Sequence, residues 1–359
     1  MRVLLLSRYG PLGASSRLRS YQYLPYLRGS GIDVTPVPLF GDDYLDDLYA
    51  RRRRHRLRIA ASYCRRVWHL LRCFRFDVLW IEYELLPWLP AWAEGLLGGF
   101  GLPYLVDYDD AVFHRYDLHR SGLVRTILGK KIDAIMRKAT LVTVGNDYLA
   151  DRAHRAGAKR VEHLPTVVDL KRYHTAPGTG NSVYTIGWIG SPTTAPYLRL
   201  VRPALAEVCG KHGGRLVVVG GPPEMALDGV LTIGRPWSEE TEVAEVQRFD
   251  VGILPLPDEP WERGKCGYKL IQYMACGRPV VASPVGVNRQ IVEQGTNGFL
   301  ASTISEWIKA LGALRDSPLR ERMGRAGRAK VERNFSVQVT APRLAALLLS
   351  LRKDPSRTN

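Results

Sequence analysis

Residues 250–301 read DVGILPLPDEPWERGKCGYKLIQYMACGRPVVASPVGVNRQIVEQGTNGFLA. Asp250–Pro255 and Pro279–Ser283 are short apolar runs bounded by Pro, Gly and Ser, the pattern of parallel strands covered on both faces. Between them Arg263, Lys265 and Lys269 surround Gly264 and Gly267, just ahead of an apolar helix at Leu270–Cys276. A helix N-terminus presents unpaired N–H donors and the positive end of a dipole. A basic glycine loop at that place is suited to an anion, and a phosphate group is the expected one.

The same alternation of strand and helix runs outward in both directions. Toward the N-terminus, Val3–Ser7, Asp33–Pro38, Asp77–Ile81, Pro103–Asp107, Thr140–Val144 and Val161–Leu164 read as strands. Leu18–Arg28, Arg51–Phe74, Trp92–Gly98, Leu123–Lys138 and Asp147–Gly157 read as the helices between them. Residues 174–181, HTAPGTGN, have no apolar period and read as a linker. The pattern restarts with strands at Val183–Ile189, Arg215–Gly220, Val230–Ile233, Val251–Pro255, Pro279–Ser283 and Gly298–Leu300. The expected class is α/β, with two doubly wound parallel sheets. The expected domains are residues 1–173 and 182–335, then a C-terminal helix at 336–352 crossing back to the first domain and a disordered tail at 353–359.

A chain of 359 residues, 45% hydrophobic and 24% charged, is globular and exceeds one comfortable core. No stretch approaches the roughly 18–20 apolar residues of a membrane span, and nothing reads as a signal peptide. The five scattered cysteines lack metal-ligand spacing, so a reduced, cytoplasmic setting is expected, with no metal site. The formal net charge is +16, and residues 51–75 hold ten arginines and no acid. Val67, Trp68, Leu70, Leu71 and Phe74 add an apolar stripe at helical spacing. Two readings stay open for this segment. It is a solvated basic face, or a surface lying on anionic lipid at the inner side of a membrane. Nucleic acid is not expected as a partner, because no DNA- or RNA-binding motif accompanies the charge.

Ligands of open α/β sheets bind beyond the carboxyl ends of the strands. After the first strand, the small-residue loop holding Gly13 lacks the G-x-G-x-x-G spacing of a dinucleotide site but allows close approach of a ligand. After the first strand of the second half, Gly190 and Ser191 precede Pro192, and Ser191 reads as the N-cap of a helix. A diphosphate between this N-terminus and that of the Arg263–Lys269 loop is the expectation. Gln272 lies one turn beyond Lys269, with an amide able to donate to and accept from a ribose hydroxyl. Trp237, after another strand, is a candidate contact for a nucleobase, and Leu270 is grouped with the donor-binding residues. In the first half, Asp109, Asp110 and His114 follow a strand end, as do Glu82 and Glu84. Acids at that place are candidate general bases or ligands of an acceptor hydroxyl.

The run from Lys269 to Leu300 resembles the donor-binding segment of family-4 glycosyltransferases, which have the GT-B fold of two Rossmann-like domains facing a cleft. Met274-Ala275-Cys276-Gly277-Arg278-Pro279-Val280-Val281 and Asn297-Gly298-Phe299 carry the match. Gly264 and Gln272 stand where the family has a pair of glutamates eight residues apart. The usual Arg and Lys after the first strand of the second domain are replaced by GWIGSPTTAPY. The resemblance is therefore to a subgroup lacking that pair, with Gln272 on the ribose and Arg263, Lys265 and Lys269 on the diphosphate. It implies a retaining, metal-independent transfer from a nucleotide-diphospho-sugar, which serves as co-substrate with no further cofactor. The implied acceptor is a hydroxyl of a glycan or lipid-linked molecule near Asp109, Asp110 or His114, and the implied setting is polysaccharide or glycoconjugate synthesis. A nucleotide-sugar epimerase of the same fold and a catalytically silent nucleotide-sugar-binding protein are the alternatives.

Overall fold

The computed structural model describes residues 1–49, 56–95, 101–176, 183–222 and 224–352. Residues 51–55 of the basic segment, 177–181 of the expected linker, 96–98 of the expected third helix and the tail at 353–359 lie outside the described residues. The chain divides into two compact units: Met1–Thr166 with Thr340–Asn359, and Val167–Val339.

Unit 1 is built on six parallel strands: β1 (Arg2–Leu6), β2 (Asp33–Pro36), β3 (Val78–Glu82), β4 (Tyr104–Tyr108), β5 (Leu141–Val144) and β6 (Val161–His163). Their order is β2-β1-β3-β4-β5-β6. Unit 2 repeats the plan with β7 (Thr185–Ile189), β8 (Arg215–Val219), β9 (Thr232–Arg235), β10 (Val251–Leu254), β11 (Val280–Ala282) and β12 (Gly298–Leu300), in the order β12-β11-β10-β7-β8-β9. Every pairing is parallel. Central strands such as β3, β7 and β10 are buried along their whole length, whereas the edge strands β2 and β9 are largely exposed. That contrast is what helices on both faces of a parallel sheet produce.

Alternation along the strands of unit 2 sends side chains to two separate layers. Ile186, Trp188, Leu216, Val218, Val251 and Ile253 pack on one face. Ile189, Val217, Val219 and Leu254 pack on the other, with Phe249 and Tyr273. Val168 and Tyr173 join this second layer, and Val168 bridges to Ser336. The segment after Thr166 is thereby bound into unit 2. The C-terminal helix Val337–Ser350 starts in unit 2 and belongs to unit 1 from Thr340 on, where the Thr340 hydroxyl meets that of Tyr23 at 2.9 Å.

Three expected helices are each two pieces, and the breaks fall at residues that interrupt the ladder. Leu18–Arg28 is replaced by Ala14–Arg19 and Leu24–Gly29, the latter with Pro25 in its first turn. Tyr197–Gly210 becomes a 3₁₀ turn, Ala195–Val201, and a helix Arg202–His212 that starts with Pro203. Proline has no N–H to give to the preceding turn. Leu123–Lys138 splits into Gly122–Leu128 and Lys131–Lys138 around Gly129. The basic helix is Arg56–Leu71, preceded by a helix at Asp42–Tyr49 that the sequence reading does not contain. Within the basic helix, Arg66 points inward and is 1% exposed, with its guanidinium on the Ser7 carbonyl. Leu70 is also buried, while Val67, Trp68, Leu71 and Phe74 are exposed.

Candidate functional site

In unit 2 the strand order reverses between β7 and β10, and the crevice beyond their carboxyl ends is the place where open α/β sheets bind ligands. The helix Tyr268–Ala275, which carries the expected site residues Lys269, Leu270 and Gln272, is pinned there by Tyr273. A Cβ at Gly252 of β10 would run into the Tyr273 ring, so glycine is what lets the ring seat against the strand. The Tyr273 hydroxyl accepts the Ile189 amide at 3.0 Å and donates to the Ile253 carbonyl at 3.3 Å. The helix is thus tied to the last residues of both strands at the reversal.

Its N-cap is Gly267, at φ 63° and ψ 20°. This left-handed conformation suits glycine, and a Cβ there would also sit 2.5 Å from Ile291 Cδ1. Two residues on, within the first turn, the half-buried Lys269 folds back over β7: its Nζ lies 5.5 Å from the centre of the Trp188 ring. A Cβ added to Gly190 would lie 2.7 Å from Lys269 Cε and 2.5 Å from the Trp188 ring. Gly220, at the end of β8, in turn packs against the Gly190 carbonyl and the Trp237 side chain. Three of the expected residues, Gly190, Lys269 and Trp237, are therefore neighbours around bare backbone at three strand ends. A cation beside small-residue backbone in front of a helix N-terminus is an arrangement for an anion.

Other members of the expected set are placed differently. Ser191 is not a helix N-cap: Ser191–Thr194 form a turn, with Thr194 N donating to Ser191 O at 3.0 Å. The 3₁₀ turn that follows starts at Ala195, because Pro196 takes a first-turn position where a missing N–H costs nothing. Leu270 is fully buried in the hydrophobic layer. Arg263 is 47% exposed and its Nε donates to Asp258 Oδ1 at 2.7 Å, a bond that holds the Asp258 carboxyl below its ordinary value. Lys265 and Gly264 lie in the same loop, with Lys265 half-buried and its backbone N–H on the Glu262 carbonyl at 3.1 Å.

Gln272 is buried, and its amide nitrogen donates to the Tyr173 hydroxyl at 2.7 Å. That hydroxyl donates to Glu242 Oε1 at 2.7 Å, while Trp237 Nε1 donates to Glu242 Oε2 at 2.9 Å. Arg172 pairs with the same carboxylate at 2.8 Å. Glu242 thereby joins Trp237, Tyr173 and Gln272 in one buried network. Glu262 is a second buried acid, accepting from the Tyr197 hydroxyl. Neither Glu242 nor Glu262 was singled out by the sequence reading, since each looks like an ordinary acid in a helix.

In unit 1 most of the acids at strand ends are neutralised internally. Asp107 takes a bidentate contact from Arg19, at 2.8 and 2.6 Å, and a bond from Thr143 Oγ1 at 2.6 Å. Glu84 pairs with Lys131 at 2.7 Å and accepts from Tyr116. Glu82 accepts from Ser16 Oγ at 2.6 Å and from the Arg8 amide at 2.8 Å, and burial pushes its carboxyl up to about 7. These bonds clamp the loop after β1, where Gly13 caps the helix Ala14–Arg19. Both ring nitrogens of His114 are engaged, Nδ1 with Asp117 and Nε2 with the Tyr148 hydroxyl, each at 2.8 Å. Asp109 and Asp110 are half-buried. Asp109 accepts from Tyr83, and burial raises its carboxyl above the usual range.

Residues 183–317 match the family described as glycosyl transferases group 1. The matched residues lie within unit 2. Gly190, Trp237, Lys269 and Gln272 all fall inside the matched residues; Gly13, Asp109, Asp110 and His114 fall outside them. Among curated relatives, the chain is 29% identical over 217 residues to D-inositol 3-phosphate glycosyltransferase of Rhodococcus erythropolis, covering 55% of this chain and 47% of that protein. It is 27% identical over 146 residues to N-acetyl-alpha-D-glucosaminyl L-malate synthase of Bacillus anthracis, covering 37% and 36%. The chain thus spans about half the length, or less, of these relatives. The fold is that of solved GT-B glycosyltransferases. Sucrose-phosphate synthase from Thermosynechococcus elongatus superposes with a TM-score of 0.72 at 17% identity, over 98% of this chain and 99% of that one. Anabaena HepE in complex with UDP-glucose superposes at 0.68 and 17% identity, over 98% and 99%.

Proposed function

We propose that this protein is a glycosyltransferase that moves a sugar from a nucleotide-diphospho-sugar to a hydroxyl of a glycan or lipid-linked acceptor. The observation that carries the reading is Lys269 folded over Gly190 at the strand reversal of a group 1 domain. The relatives named above as glycosyltransferase and synthase, and a fold neighbour that holds UDP-glucose, support it.

In this reading the diphosphate lies at the N-terminus of Tyr268–Ala275, with Lys269 on one oxygen and Arg263 and Lys265 at the edge of the loop. As the bond from anomeric carbon to phosphate oxygen breaks, its electron pair goes to that oxygen. Cations and N–H groups aimed there stabilise the transition state more than the ground state. We read the transfer as retaining: the acceptor oxygen bonds to the anomeric carbon on the face the diphosphate leaves, and the acceptor proton passes to the departing phosphate oxygen. No metal is required, since side-chain cations supply the charge. Acceptor binding is assigned to unit 1 around Asp109 and Asp110. The Arg51–Arg75 face is assigned to an anionic membrane surface, which places the enzyme peripherally on the cytoplasmic side.

The test is a thermal-shift series with UDP-glucose, UDP-N-acetylglucosamine and GDP-mannose, followed by nucleotide release in EDTA. A donor that raises the melting point by mass action, with nucleotide freed only when acceptor is added, supports the reading. Release from donor alone supports the epimerase alternative, and binding without turnover on any acceptor supports the silent one. No shift with any donor ends it.

A further inference from the structure

Eleven of the sixteen exposed large hydrophobic side chains among the described residues fall between Leu57 and Ile127. Some belong to the basic helix. The others form a group that the sequence reading passed over: Trp88, Leu89 and Trp92 in one segment, Leu118, Leu123 and Ile127 in another. Their exposures run from 39% for Leu89 to 71% for Trp92. Isolated exposed apolar residues need no explanation, but a contiguous group of this kind marks an interaction surface.

The two segments are contiguous. The Trp88 ring meets His119 edge-on, with centroids 5.8 Å apart, and Tyr116 likewise at 5.3 Å. Leu123 and Ile127 are four residues apart on the helix Gly122–Leu128 and so share a face. Trp88 also sits at φ 64°, a left-handed conformation that a bulky L-residue rarely adopts. The Tyr116 hydroxyl holds it there, accepting the Trp88 amide at 3.1 Å while donating to Glu84. Backbone strain kept in place by a buried network, at a tryptophan that is 48% exposed, fits a device for presenting that side chain.

The charge around the patch is predominantly positive. Residues 118–130 contain Arg120, Arg125 and Lys130 and no acid, and residues 85–93 contain no charge at all. The nearest acids are paired: Asp117 with His114 and Arg152 at 2.8 and 2.9 Å, Asp133 with Arg152 at 2.6 Å, and Glu94 with Lys131 at 2.9 Å. A second copy of this chain docking on the same patch would bring like charges face to face. An anionic bilayer complements both features, taking tryptophan and leucine into the headgroup boundary and arginine against the phosphates.

We propose that Trp88–Trp92 and Leu118–Ile127 form a membrane-docking surface for anionic lipid. It is distinct in residues from the Arg51–Arg75 face and independent of the assignment of the donor. The experiment is co-sedimentation of the full chain with vesicles of phosphatidylcholine alone or mixed with phosphatidylglycerol. The parent is expected to bind the mixed vesicles. Leu123→Ser with Ile127→Ser, on exposed positions, should lower the partition coefficient about tenfold from lost apolar burial. Trp88→Gly, which suits the backbone there, should lower it as well and reduce the vesicle-induced blue shift in tryptophan emission, to which Trp92 still contributes. Thermal shift by donor should be unchanged in both variants. Arg65→Gln with Arg72→Gln tests the basic helix separately. Variants that partition like the parent overturn the proposal, as does a parent that binds neither vesicle. Loss of self-association in the variants without change in vesicle binding also overturns it, and assigns the surface to a second copy.

Discussion

The two units share one architecture, yet they finish their strands in opposite ways. At the carboxyl ends of unit 1, polar side chains are consumed by one another: Arg19 with Asp107, Lys131 with Glu84 and Glu94, Ser16 with Glu82. At the corresponding ends of unit 2, glycines at 190 and 220 bring backbone close together under one folded lysine. A buried ion pair is strongly costly to break by removing one partner, because the other charge is stranded. The glycines at 190 and 220 leave backbone open to close approach beside the Lys269 ammonium, as binding of an anion requires. The first arrangement rigidifies, and the second is the one suited to chemistry.

The sharpest way to break that contrast is Asp107→Ala. It strands the Arg19 guanidinium, which is 2% exposed, and should cost about 3–5 kcal/mol of stability in urea unfolding. A loss below about 1 kcal/mol would mean that the pair is not structural. Next comes Lys269→Ala, which should leave stability nearly unchanged but raise the barrier to transfer by about 3–4 kcal/mol, the scale of a lost oxyanion donor. Equal turnover in mutant and parent would remove Lys269 from the chemistry.

A third probe is pH. The Glu82 carboxyl is raised to about 7 in the folded protein by burial, against about 4.3 in an unfolded chain. Between those values the folded state binds more protons than the unfolded state, so stability should fall as pH rises, by up to about 4 kcal/mol from this group. Glu82→Gln should flatten that slope in melts taken across the range. An identical slope would show that Glu82 does not titrate there. The smallest effect is expected from Asp258→Asn, since Asp258 and Arg263 are 59% and 47% exposed. Such pairs contribute about 0–1 kcal/mol. Any change in turnover it brings would measure how far Asp258 holds Arg263 in place for a donor.

The strands were legible because buried parallel strands leave a local mark, a short apolar run closed by Gly, Pro or Ser. All six runs called in the second half sit on observed strands, Gly298–Leu300 to the residue. Helix breaks at Pro25 and Pro203 were marked in the same letters but outweighed by apolar periodicity in the reading. Lys269 beside Gly190 was half legible: each loop pointed to an anion, and the parallel pairing of β7 with β10 made them neighbours. His114 and Ser191 show the reverse. Their residue types suggested a base and a helix cap, but other partners took them: Asp117 and the distant Tyr148 for one, a four-residue turn for the other.

What the amino-acid order determined by itself is the run of elements, since burial on both faces and the loss of an N–H at proline act within a few residues. Tertiary structure alone decided which polar groups pair with which. Arg19 and Asp107 lie 88 residues apart, and Gln272 and Tyr173 99 apart. No local pattern records a partner at that distance, because the bond exists only once the sheet has set its strand order.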